Sequence, residues 1–243
     1  MLHGPQRDCF ELEFQLPAGC ADRVASGAAD IGIVPSFELT RQELEIIPGT
    51  GIACHGAVRS ILLISSRPAG EIRTIALDNS SRTSVELARV VLERRYGATP
   101  RAISHVPDLE AMLRIADAAL IIGDPALRID RAALPPFVYD LGAEWVEMTG
   151  LPMVFAVWAA RKGTVTPVLV SAFQDSCRYG LERLEEIVAA ESAARDFPPG
   201  LVREYLTSHI VHELGPRDYR GMELFLEYAS RGAASGMKFV TPV

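Results

Sequence analysis

Two apolar runs, at 57–64 and 153–160, constrain this chain more than any other stretch of it. Runs of that kind, without polar alternation, read as strands covered on both faces, as when helices pack on either side of a sheet. Between them strands and helices alternate: strand 74–77, helix 84–96, a break at Gly97 and Pro100, strand 101–105, helix 108–115 and strand 119–122. Ahead of the first run, Phe10, Leu12, Phe14 and Leu16 alternate with polar neighbours before Pro17, which predicts a strand with one buried face as the first element. A short helix over 20–26, closed by Gly27, and a buried strand over 30–34 ending at Pro35 complete a β-α-β unit. A turn-rich passage comes next, at 46–51. After the second run the pattern turns helical, around 168–180, 181–195, 199–214 and 218–230, and no further strong strand is expected. No internal repeat and no low-complexity linker divides the chain.

This order predicts an α/β protein of two lobes. If the two apolar runs join the lobes, the helical tail returns to the first, giving 1–60 plus 156–243 as one lobe and 61–155 as the other. Two crossings of the chain make a hinge, with a cleft that can close on a small ligand.

Composition narrows the partners. The chain has 243 residues and a net charge of −7, so its overall field repels polyanions, and nucleic acid and anionic membrane are poor partners. No stretch approaches ~18 uncharged apolar residues, and MLHGPQRDCF lacks the apolar core and cleavage site of a signal peptide, which predicts a cytoplasmic protein. Cys9, Cys20, Cys54 and Cys177 show no C-x-x-C spacing and read as reduced thiols. His209 and His212 lie three apart on an expected helix without a third ligand, so no metal is expected. There is no G-x-G-x-x-G, no P-loop and no G-x-S-x-G elbow. Trp145 and Trp158 bracket the second run and read as core.

In open α/β sheets ligands bind beyond the carboxyl ends of the strands, where helix N-termini present unpaired N–H groups. Three such junctions occur here. In 77–86, a strand end leads through Ser80, Ser81, Arg82, Thr83 and Ser84 into a helix whose Val85, Ala88, Leu92 and Tyr96 form an apolar stripe. The hydroxyls, backbone N–H groups and helix dipole suit a carboxylate or phosphate. The simpler reading is a Thr83-x-x-Glu86 capping box that satisfies only itself. In the second junction, Gly123 permits close backbone approach, and Asp124 before Pro125 reads as an N-cap ahead of a ligand contact. The third ends the strand at 30–34 with Ser36.

Five segments carry a resemblance: GAADIGIVPSFEL (27–39), IPGTGIACHGAVRSILLIS (47–65), ALDNSSRTSVELARVVL (76–92), DAALIIGDPAL (117–127) and YDLGAEWVEMTGLPMVFAVW (139–158). They closely resemble the chorismate dehydratases, the first enzymes of the futalosine route to menaquinone. The resemblance implies a fold like the type II periplasmic binding proteins, with two lobes, two crossing strands and an interlobe cleft. It also implies elimination of water from chorismate, a small dicarboxylate, to give 3-[(1-carboxyvinyl)oxy]benzoate. Aromatisation drives that reaction, so no cofactor is expected. On that expectation we assign Ser81 and Ser84 as the catalytic hydroxyl donors of a loop that binds a substrate carboxylate, with Thr83 as support and Ser36, Ser80, Arg82, Gly123 and Asp124 as further substrate contacts. No His or Glu stands as general base, which fits a route in which the substrate's enolpyruvyl carboxylate takes the proton, with Asp124 as fallback. Two other readings stay open: a non-catalytic small-anion binder on the same scaffold, and the related dihydroxynaphthoate-forming enzyme, against which SSRTS argues. One departure stands out. Family members usually begin with a further strand carrying S-Y-L-N-x-x-P-L, and MLHGPQRD resembles the stretch just after that motif, so a missing central strand with two unpaired edges is expected.

Overall fold

The computed structural model describes residues 1–78, 80–130 and 134–232. Two separate sheets organise it. The first is four-stranded and antiparallel, built from β1 (Ile31–Pro35), β2 (Leu44–Cys54), β8 (Met153–Arg161) and β9 (Val211–Glu213) in the order β1-β8-β2-β9. The second holds β3 (Ile61–Ser65), β4 (Thr74–Asp78), β5 (Arg101–His105), β6 (Ala118–Ile122) and β7 (Phe137–Asp140) in the order β5-β4-β6-β3-β7. There β4 runs parallel to β5 and β6, while β3 runs antiparallel to β6 and β7.

The chain leaves the first sheet after Cys54 and enters the second at Ile61; it returns between Asp140 and Met153 through α5 (Leu141–Thr149). The apolar run at 57–64 is therefore not one long strand. Only 61–65 is strand, and 55–60 is the crossing itself. One carboxylate ties the two passages together. Asp140 caps α5 by accepting from the N–H groups of Gly142 (3.0 Å) and Ala143 (3.2 Å), and it also accepts from Val58 (2.9 Å) and Arg59 (2.6 Å) in the first crossing.

The second sheet is covered on both faces, as continuous apolar strands require. Ile61 and Leu63 face a core shared with α2 (Arg82–Tyr96) and Trp145 of α5, while Leu62 and Ile64 face Met112 of α3 (Leu109–Ile115) and Ala126 of α4 (Asp124–Leu127). Helix α2 buries Leu87, Ala88, Val91 and Leu92 completely or nearly so, and ends on Gly97 in the left-handed region at φ 67°.

The first sheet departs more from expectation. Residues 10–16 form no strand, and Leu12, Phe14 and Leu16 are 40%, 80% and 68% exposed. Alternation creates a strand only where a sheet edge is within hydrogen-bonding reach. The free edge of β1 is separated from this segment by a groove of about 750 Å³, with Cys9 to Glu13 and Gln15 on one wall and Ala28 to Ile33 on the other. Among the described residues β1 pairs with β8 alone. Residues 46–51, expected as a turn, lie inside β2, and the register against β8 shifts between Ile46 and Gly51. A bulge there accommodates Pro48 and Gly49 within the strand. Helix α1 (Pro17–Ser26) starts three residues earlier than expected, with Pro17 at its first position. The tail folds into α6 (Pro167–Glu182), α7 (Leu184–Arg195), α8 (Pro199–Glu204) and α9 (Pro216–Gly232). The helix expected over 199–214 stops at Glu204, continues as a π-helical turn, Tyr205–His209, and gives way to β9.

Candidate active site

At the carboxyl end of β4, Asp78 is buried and accepts the Ser80 N–H at 2.9 Å. Asn79 lies outside the described residues. Ser81, with extended φ and ψ of −135° and 110°, is the N-cap of α2. Its oxygen accepts from the Ser84 N–H at 3.4 Å and from the Ser84 hydroxyl at 3.1 Å. The Thr83-x-x-Glu86 capping box does not form: Glu86 turns away to Arg89, which also reaches Glu93 at 2.7 Å and the Ala229 carbonyl at 3.2 Å. The helix tip is thus free of its own glutamate.

The Thr83 hydroxyl of the loop faces the first sheet. Thr83, fully buried, accepts the Phe37 N–H at 3.1 Å and lies 3.4 Å from the Ser36 hydroxyl. Ser36, also fully buried, donates to the Val154 carbonyl of β8 at 2.7 Å. Arg82, expected to meet substrate, instead reaches both oxygens of Asp22 on α1 at 3.0 and 3.1 Å and the buried Glu38 at 3.0 Å. The hydrogen bonds to Asp22, and next those to Glu38, raise its pKa above the ordinary arginine value. Glu38 is further held by Arg41 at 3.3 Å and Gln42 at 2.9 Å. Arg82 and Thr83, through Asp22, Glu38, Phe37 and Ser36, therefore bind the two halves of the molecule to each other. Their partners lie 44 to 60 residues away, a distance no local pattern reports.

At the second junction Gly123, not Asp124, is the N-cap of α4, with φ 72° and ψ −143°. A Cβ there would meet nothing within 4 Å, so the positive φ, rather than crowding, calls for glycine. The Gly123 N–H donates to the Ser60 carbonyl at 2.7 Å and is not available to an anion. Asp124 opens the helix and pairs with Arg195 of α7 at 3.0 Å. Sequence reasoning missed the next neighbour: the Ser60 hydroxyl lies 3.0 Å from that of Tyr205, in the π-helical turn. Burial pushes the Tyr205 phenol up, against the lowering effect of the Ser60 hydrogen bond.

Two histidines are paired with carboxylates. His55 meets the buried Asp218 at 2.8 Å, and His209 contacts the Ala57 carbonyl at 2.9 Å and Glu204 at 3.3 Å. Burial lowers the pKa of His212. Among the described residues no three His, Cys, Asp or Glu side chains come together as a metal site. All four cysteines are free, and burial pushes the Cys54 thiol up to about 12. A second cavity, about 370 Å³, lies over the first sheet between Ile33, Ile52, Trp158, Phe173 of α6 and Tyr205. Neither cavity is lined by Ser81, Ser84, Gly123 or Asp124.

A family model described as menaquinone biosynthesis matches residues 2–231. The chain belongs to the menaquinone biosynthesis family. It is 33% identical over 236 residues to the chorismate dehydratase of Thermus thermophilus, covering 90% of this chain and 86% of that protein. Among solved structures, the fold of this menaquinone biosynthesis family member is similar to AF1704 from Archaeoglobus fulgidus (TM-score 0.66, 13% identity, 91% of this chain and 85% of that one). It is similar too to the periplasmic aliphatic sulphonate binding protein SsuA from Escherichia coli (TM-score 0.64, 15% identity, 92% and 81%). The fold is therefore that of the periplasmic binding proteins, two α/β units with the chain passing twice between them. No helix among the described residues is long and apolar enough to cross a membrane.

Proposed function

We propose that this chain is a chorismate dehydratase, a carbon–oxygen lyase that removes water from chorismate in the cytoplasm. The observation that carries the reading is the 33% identity, over 90% of the chain, to the Thermus thermophilus enzyme of that name. Four free cysteines are in keeping with a reducing compartment.

In this reading the tip of α2 holds a substrate carboxylate. A hydroxyl has one proton and two lone pairs, and the Ser81 oxygen accepts twice from Ser84, which leaves the Ser81 proton to donate outward. The Ser84→Ser81 chain polarises that proton, and the amino end of the helix adds positive potential. Ser80 flanks the same site. Ser36, Arg82 and Thr83 position the tip through the first sheet, and the open space at Gly123 admits the ring. The proton leaves the ring carbon bearing the enolpyruvyl ether, and hydroxide leaves its neighbour. Held in that geometry, the substrate's own carboxylate takes the proton. Incubation with chorismate tests the proposal: loss of the diene absorbance with appearance of an aromatic product is expected. Thermal stabilisation by chorismate without product would make the protein a small-anion binder instead.

A further inference from the structure

The departing hydroxide needs a proton, and the serine loop offers no acid. We propose that Tyr205, backed by Ser60, is the general acid that protonates the leaving hydroxyl; this rests on the dehydratase reading above.

Position comes first. Because β3 is antiparallel to β6, with Ile61 opposite Ile122, the start of β3 lies beside the carboxyl end of β6. Ser60 immediately precedes that start, and its carbonyl takes the Gly123 N–H at 2.7 Å. The Ser60 and Tyr205 hydroxyls, 3.0 Å apart, therefore adjoin the carboxyl end of β6, one strand away from the β4 end that leads into the tip of α2, and Tyr205 also lines the cavity of about 370 Å³ over the first sheet. Tyr205 arrives there from the helical tail, on a π-helical turn; such turns are uncommon and gather at functional sites. The turn is pinned on both sides. Glu204 meets Arg59 at 3.3 Å, and His209 meets the Ala57 carbonyl at 2.9 Å.

Chemistry and elimination agree. The other acids at this edge are engaged or sealed: Asp78 is buried and accepts the Ser80 N–H at 2.9 Å, Asp124 pairs with Arg195 at 3.0 Å, Asp140 accepts four backbone N–H groups, Glu204 pairs with Arg59 at 3.3 Å, and Cys54 is 0% exposed. A tyrosine phenol, ordinarily near pKa 10, carries its proton at neutral pH, and burial moves Tyr205 further in that direction. In the step itself, the ring C–H bond breaks toward the substrate carboxylate and its electron pair forms the ring double bond. The neighbouring C–O bond breaks with its electrons on oxygen, and that oxygen takes the Tyr205 proton to leave as water. Ser60 turns its hydroxyl to donate to the phenolate. The proton held by the product carboxyl returns to Tyr205 through solvent, so the balance is chorismate to product plus water.

The test compares wild type, Tyr205→Phe and Ser60→Ala on chorismate. Loss of a general acid is expected to lower kcat by about 10²–10⁴-fold in Tyr205→Phe, with KM within about threefold of wild type. The ¹⁸O isotope effect at the leaving hydroxyl should rise, because C–O cleavage becomes the slow event. Ser60→Ala should lower kcat by about tenfold with the same KM. A Tyr205→Phe kcat within about threefold of wild type, or a drop in kcat with no rise in the ¹⁸O effect, would overturn the assignment while leaving the dehydratase reading intact. Should Tyr205→Phe fail to fold, an unchanged kcat in folded Ser60→Ala would overturn it equally. A wild type inert toward chorismate would remove both.

Discussion

The second sheet and the segment beside the outer edge of the first both carry strand-like sequence, yet only one of them is closed. All five residues of β3 are buried between neighbouring strands and helices on both faces. Phe14, on an equally strand-like pattern, is 80% exposed beside a groove of about 750 Å³. A strand-like pattern is therefore not enough on its own; a pairing partner is needed as well. A strand is a property of two segments, and the alternation in 10–16 describes only one of the two.

The largest effect should come from the closed side. Trp145 is fully buried, stacks edge-on against Phe225 and Tyr228, and donates to the Pro152 carbonyl at 3.0 Å. Trp145→Ala is expected to cost about 3–5 kcal/mol, read as a fall in Tm of roughly 10 °C. Next comes the tip of α2. Ser81→Ala should lower kcat/KM for chorismate by about 10²–10³-fold if the partly buried Ser81 donates to substrate as proposed, with about 1 kcal/mol of stability lost with the N-cap. The opposite split is expected for Thr83→Val, which leaves the Phe37 N–H without its acceptor: about 1–3 kcal/mol of stability in a denaturation curve.

A smaller effect concerns acid. Burial works to raise the Asp117 carboxyl, but hydrogen bonds from the Arg73 and Thr74 N–H groups and the Thr74 hydroxyl, with Arg67 nearby, outweigh it and hold the group below the usual carboxylate range. A depressed folded pKa means that this contribution is complete above the unfolded value, about 3.9, and is lost as pH falls through the folded one. Asp117→Asn should therefore flatten the acid limb of stability below about pH 5, measured by urea midpoints across pH. The smallest change belongs to the open edge. Phe14→Ser should move stability by no more than about 0.5 kcal/mol; a loss near that of Trp145→Ala would show that the two regions do not differ as described.

Legibility in the sequence divides along the same line. Strands 74–78, 101–105 and 118–122 and the helix after Ser81 announce themselves through apolar runs, a cap and Gly97, all local signals. The three residues of β9 and four of β7 are too short to show a period, and their strand character comes from the neighbours they pair with. At the candidate site the sequence shows a serine-rich junction into a helix and Gly123, but not the choice of Ser81 over Thr83 as cap. Thr83 is drawn away by Phe37, 46 positions distant. Arg82 looked like a ligand contact because nothing near it in sequence announces Asp22 and Glu38. Tyr205 was hidden inside a stretch with the pattern of one continuous helix.

Asp140 gathers N–H groups from both passages between the sheets, two from each. Any relative movement of the halves must keep those four donors gathered on one carboxylate or break them together. A rotation pivoting on Asp140 keeps the four together, so this single side chain is the point about which any closing of the halves would have to turn.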